Sequence, residues 1–150
     1  MDTLSIGIDP GKSGGVALVS DSRTVVYPYS DEALITCLKK ARDWGDAKKV
    51  RVCVEKVGAM PGQGVVSMFN FGKSLGFIEG VLQAYAISYQ LVPPQTWKKE
   101  FSLTGDKSNS IDVCRKLFPD INLLATNRSR KPHDGMAESL LMAEYARRRL

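Results

Sequence analysis

With 150 residues, 43% hydrophobic and 25% charged, the chain is long enough to bury one sizeable core and too varied to be fibrous, low-complexity or disordered. No apolar run reaches bilayer length, and Met1 leads into an apolar segment without a signal-peptide pattern, so a membrane-spanning protein is excluded and an intracellular one expected. The net charge of +5 is uneven: residues 95–150 hold 11 Lys and Arg against 7 Asp and Glu, and the excess at Lys98, Lys99, Lys107, Arg128, Arg130 and Lys131 suits a polyanion such as nucleic acid, an ordinary solvated basic surface being the alternative.

The stretch Leu4 to Leu18, LSIGIDPGKSGGVAL, reads as an apolar strand delivering Asp9 at its end, a tight turn through Pro10, Gly11, Ser13, Gly14 and Gly15, and a second apolar strand returning from it. Ile6 and Ile8 are too apolar for an exposed edge and predict a central strand. A carboxylate there loses hydration and neutralises itself unless a hydrogen bond, a cation or a metal compensates. The alternative for Asp9 is a turn aspartate bonded to its own backbone. Arg23 to Tyr29 reads as a third strand, and Asp31 to Trp44 as a helix with Leu34, Ile35 and Leu38 on one side and Ser30 as N-cap. Three strands followed by a helix predict an α/β sheet with antiparallel and parallel members. Val50 to Val54, VRVCV, is then a β-branched strand ending in a second carboxylate, Glu55.

Lys56 to Gly64 is a Gly/Pro loop leading into a helix over Val65 to Tyr85, in which Gly72, Gly76 and Gly80 recur every fourth residue. They share one face and predict a close backbone approach to the sheet or to another chain. Ile87 to Val92 reads as a further strand, stopped by Pro93 and Pro94. Gln95 to Lys99 and Lys107 to Phe118 are short helices; Trp97 between them is read as a core or lid residue in preference to a base-stacking platform. Asp120 to Lys131 is a polar connection suited to touching substrate. Cys37, Cys53 and Cys114, odd in number and widely spaced, predict free thiols, with disulfide and zinc readings both weak.

The last helix starts near Pro132 and runs to about Arg149. Asp134 and Glu138 lie one turn apart on a face that Leu141 and Tyr145 continue, so this face packs on the sheet with both acids at the rim of the core. Like charges so placed repel, which points to a cation between them; an acidic first turn favoured by the helix dipole is the alternative. If the strands ending in Asp9 and Glu55 are neighbours, both acids emerge at one region of the sheet edge, and a helix packed across the sheet brings Asp134 and Glu138 there too. Four carboxylates without clustered Cys or His ligands favour a hard cation, Mg²⁺ or Mn²⁺. Two such ions about 4 Å apart activate a water on one side of a phosphodiester and stabilise the leaving oxygen on the other. Together with the basic C-terminal third, this predicts metal-dependent hydrolysis of nucleic acid.

Taken in order, IGIDPGKSGG, VCVEKV, FGKSLGFIEGVL, LVPPQTWKK and HDGMAESLLMAEY resemble RuvC-type Holliday junction resolvases of the RNase H-like superfamily, in particular the phage and plastid-type branch, over nearly the whole chain. The resemblance implies an α/β, RNase H-like fold, a mixed five-stranded sheet flanked by helices, forming a single nuclease domain over residues 1–150. It implies a Mg²⁺-dependent endonuclease that resolves four-way DNA by paired symmetric nicks, leaving 5′-phosphate and 3′-hydroxyl ends. Asp9, Glu55 and Asp134 match the family's metal-binding acids and Glu138 the remaining acid of the last helix. Bacterial members place two aspartates three apart, so which of Asp134 and Glu138 touches metal stays open. Lys98 and Lys107 resemble positions contacting scissile-strand phosphates, Lys99 competes with Lys98, and Arg130 and Lys131 are further DNA-binding candidates. His133 is either an assistant in proton transfer or a capping residue. The resemblance also implies a homodimer to which the helix after Glu55 contributes, no membrane, no nucleotide cofactor, and a place in the cytoplasm of a bacterium or phage-infected cell, or in an organelle. Its rivals are an RNase H-like nuclease acting on an RNA–DNA hybrid or flap, a junction-binding protein without catalysis, and an actin-like ATPase, whose two lobes this chain is too short to hold.

Overall fold

The computed structural model describes residues 3–45, 49–58, 62–103, 105 and 107–150, the side chains of 107 and 108 apart. The elements run β1 (Leu4–Asp9), β2 (Gly15–Val19), β3 (Thr24–Pro28), α1 (Asp31–Trp44), β4 (Val50–Glu55), α2 (Val65–Ala84), β5 (Gln90–Val92), α3 (Pro94–Glu100), α4 (Lys107–Leu117) and α5 (Asp134–Arg149). The five strands form one sheet in the order β3-β2-β1-β4-β5. β1, β2 and β3 are antiparallel neighbours, while β4 runs parallel to β1 and β5 parallel to β4. This is the mixed sheet expected above, and β1 is its central strand.

Alternation along the strands divides the core in two. Leu4, Ile6 and Ile8 of β1, Val16 and Leu18 of β2, and Val50, Val52 and Val54 of β4 join Leu34 and Leu38 of α1 and Ile78 and Leu82 of α2 on one face. Ala17, Val19 and Cys53 join α3, α4 and the apolar stripe of α5 on the other. Asp9 has the parity of Ser5 and Gly7, and Glu55 that of Cys53, so both carboxylates belong to the α5 side. There α5 lies unusually close. A Cβ at Gly7 would run into the backbone of Ser139 and Ala143, one at Gly15 into Gly135, and one at Gly135 into Ser13 and Gly14. Backbone on backbone at these positions requires glycine.

Two expectations are corrected. The strand expected from Ile87 begins at Gln90, because Ala86, at a φ of 57°, and Ile87 are used to close α2: the Ala86 N–H donates to Gln83 O and the Ile87 N–H to Leu82 O, both at 3.0 Å. The stripe of Gly72, Gly76 and Gly80 does not approach the sheet, since a Cβ at any of the three would meet nothing within 4 Å. This face of α2 is open, and Val65 and Phe69 on it are 84% and 70% exposed. Ser30 caps α1 as expected, accepting from Ala33 N at 3.0 Å. All three cysteines are free and buried, and among the described residues no helix is long and apolar enough to cross a membrane.

Candidate metal centre

Adjacent parallel strands end side by side, and here both end in an acid. The pairing of Ile8 with Val54 sets Asp9 next to Glu55 at the same edge of the sheet. α5 crosses this edge on the side to which both carboxylates point, and the close packing through Gly15 and Gly135 brings its second turn against them. As a result Asp9, Glu55 and Glu138 each offer a carboxylate oxygen within 4.8 Å of the other two.

Three acids so close are costly without a counter-charge. Asp9 is pushed well above the usual carboxylate range, first by burial, then by the charges of Glu55 and Glu138 and by a shared hydrogen bond with Glu138, with Lys98 pulling the other way. Glu55, 8% exposed, is also raised by burial, and opposed by a 2.9 Å hydrogen bond that Trp97 Nε1–H donates to its Oε2. Trp97 itself is fully buried, so α3 holds the ring as core and its N–H as the fastening of the Glu55 carboxylate. An all-oxygen, partly desolvated donor set with too much negative charge for itself fits a hard divalent cation.

No protein-family model matches this chain, and no curated protein matches it. Solved structures do. A T. thermophilus RuvC in complex with a Holliday junction substrate superposes with a TM-score of 0.60 at 16% identity, over 97% of this chain and 96% of that one. A second Thermus thermophilus RuvC structure gives 0.58 at 15% identity, over 93% and 90%. The chain has the RuvC fold. It is therefore RNase H-like, as the resemblance implied.

On this RuvC fold the remaining expected residues separate. Asp134 lies in the first turn of α5, one turn before Glu138, and is outside the group of three. His133 is the N-cap of that helix, its Nδ1 accepting from Met136 N at 3.1 Å, which is the capping role of the two foreseen. Lys98 is close enough to the acids to oppose the rise of both Asp9 and Glu55, whereas Lys99 lines a separate outer groove with Glu100, Tyr145 and Arg149. Lys107 opens α4, but its side chain lies outside the described residues. Arg130 and Lys131 are exposed on the connection that feeds α5. Sequence reading missed Trp97 as a partner of Glu55 and Gly7, Gly15 and Gly135 as the contact that seats α5. The signal for the glycines was present: one on β1, one opening β2 and one in the first turn of α5.

Proposed function

We propose that the chain is a DNA endonuclease, a single nuclease domain that resolves four-way junctions by paired nicks, with Mg²⁺ as its metal and Mn²⁺ able to replace it. The observation that carries the reading is the convergence of Asp9, Glu55 and Glu138 on a fold shared with a RuvC bound to a Holliday junction substrate. Asp9, Glu55 and Glu138 would hold the ion, with Glu138 favoured over Asp134 as the direct ligand from α5. When bound, the metal would lower the pKa of an attacking water and stabilise charge on the phosphate. Trp97 keeps Glu55 in one orientation, so the site is arranged before substrate arrives. Lys98 would offset charge gathering on the phosphoryl oxygens, and Lys107, Lys99, Arg130 and Lys131 would hold flanking phosphates. Water adds to phosphorus, the P–O3′ bond breaks, and the 3′ oxygen takes up a proton, leaving 5′-phosphate and 3′-hydroxyl ends.

Paired cuts on opposite strands call for two centres, and the open face of α2 suits a second copy. Val65 and Phe69 offer apolar area, and Gly72, Gly76 and Gly80 let a partner's backbone come close. The test is cleavage of a labelled four-way junction in Mg²⁺, with EDTA and linear duplex as controls and Asp9→Asn alongside. Symmetric nicks in the junction alone, lost with EDTA and in the variant while junction binding persists, are expected. Binding without nicks in either metal, or wild-type cutting by Asp9→Asn, would overturn the assignment.

A further inference from the structure

A cavity of ligand size opens not at the acids but around the corner from them. It measures 560 Å³, within the range of about 300–1,000 Å³ that small-molecule sites occupy, and is walled by the β1–β2 turn, the start of α1 and the first half of α2. The turn is shared: Gly11 and Lys12, which line the cavity, follow Asp9 by two and three residues. Such a length of chain spans at most about 11 Å, a distance that about three nucleotides cover at 3.4 Å per step. The turn is also fixed, with Gly11 at a φ of 103°, the Gly14 N–H donating to Gly11 O at 3.0 Å, and the Tyr29 N–H donating to Gly14 O at 2.9 Å.

The lining is mixed in a way that selects its ligand. Lys12 supplies a cation to the lining, three residues after Asp9, whereas Asp31, to which Tyr29 Oη donates at 3.0 Å, adds a carboxylate that opposes a bare anion there. With them the cavity is lined by two aromatic rings, Tyr29 and Phe71, and by the exposed residues Asn70 and Ser67. A cation, two rings and neutral hydrogen-bonding groups lining one cavity fit the chemistry of a nucleoside unit attached to a phosphate. Ser67, Asn70, Phe71 and Ser74 recur at helical spacing on one side of α2, and Gly72, Gly76 and Gly80 lie on the other, so a second copy on the glycine face leaves the cavity open.

We propose that this cavity receives one nucleotide of the cut strand close to the scissile phosphate, its base against Phe71 and Tyr29 and within reach of Asn70 and Ser67, its phosphate at Lys12, and that it sets the preference for sequence at the cut. The proposal rests on the nuclease reading. It is tested by binding of the full chain, in EDTA, to labelled four-way junctions that each lack one base near the exchange point. Loss of one particular base weakens wild-type binding by about fivefold or more, and the same loss has little further effect on Phe71→Ala or on the surface variant Asn70→Ala. Penalties that stay unchanged in both variants at every position overturn the cavity assignment and leave the nuclease reading standing. Failure of the wild-type chain to bind any branched or linear DNA overturns both. Mapping of nicks on a junction randomised around the cut supplies the second readout: Asn70→Ala flattens the preference if the cavity reads the base, and an unaltered preference counts against it.

Discussion

Asp9 sits where burial and two neighbouring carboxylates oppose its ionisation, so in the folded chain it keeps a proton to higher pH than in the unfolded chain, where it is released near 3.8. The folded state then binds more protons than the unfolded one above the ordinary carboxylate range, and stability falls as pH rises toward the raised value, below which the protonated form is fully accommodated. In EDTA, melting temperature is expected to decline across this interval; Mg²⁺ should reverse the decline at neutral pH by replacing the proton, and Asp9→Asn should flatten it. A profile that rises with pH in EDTA would contradict the electrostatics of the site. Trp97 poses a second test at this scale. Trp97→Phe leaves a buried Glu55 oxygen without its donor, a loss of about 1–3 kcal/mol, and frees the carboxylate to turn away. Affinity for Mn²⁺, measured by calorimetry, is expected to fall about tenfold or more, and an unchanged affinity would reduce Trp97 to packing alone.

Among the elements, α5 decides whether a centre exists, and its seat is made of glycine. Gly135→Ala should gain about 1 kcal/mol in helix propensity, yet its methyl meets the backbone of Ser13 and Gly14, which no side-chain rotation can relieve. A net loss of about 1–3 kcal/mol in chemical unfolding is expected, with weaker metal binding as Glu138 is pushed away from Asp9; a more stable protein would mean that the turn yields easily. What the sequence revealed of these elements follows from composition and period. β1, β2 and β4 announced themselves as apolar or β-branched runs and α1 by its helical spacing, and the acids at strand ends drew notice because charge there is costly. Gly7, Gly15 and Gly135 were visible in the sequence but went unread, because a glycine shows that something can come close without naming what. Gln90–Val92 was overextended toward Ile87 because the apolar pattern runs unbroken through a cap. Asp134 and Glu138 could not be told apart by spacing, since only the depth at which α5 sits shows which turn reaches Asp9.

For the whole molecule, the exposed side of α2 carries the expectation of a pair. Burying Phe69 against a second copy contributes about 1.5–3 kcal/mol per side chain, twice over by symmetry. Phe69→Glu is therefore expected to raise the dissociation constant of the dimer more than a hundredfold, seen as a monomer by sedimentation, with metal binding by each chain retained; an unchanged dimer would place the interface elsewhere. The order of the acids along the chain has another consequence. Asp9 and Glu138 lie far apart in sequence, and they meet only when α5 docks on a sheet built from the strands between and around them. Closing so long a loop is slow compared with forming local turns. A chain on which α5 has not docked thus keeps Asp9 and Glu55 at the sheet edge without Glu138, so that the proposed centre exists only in the completed fold, which itself acts as the safety catch.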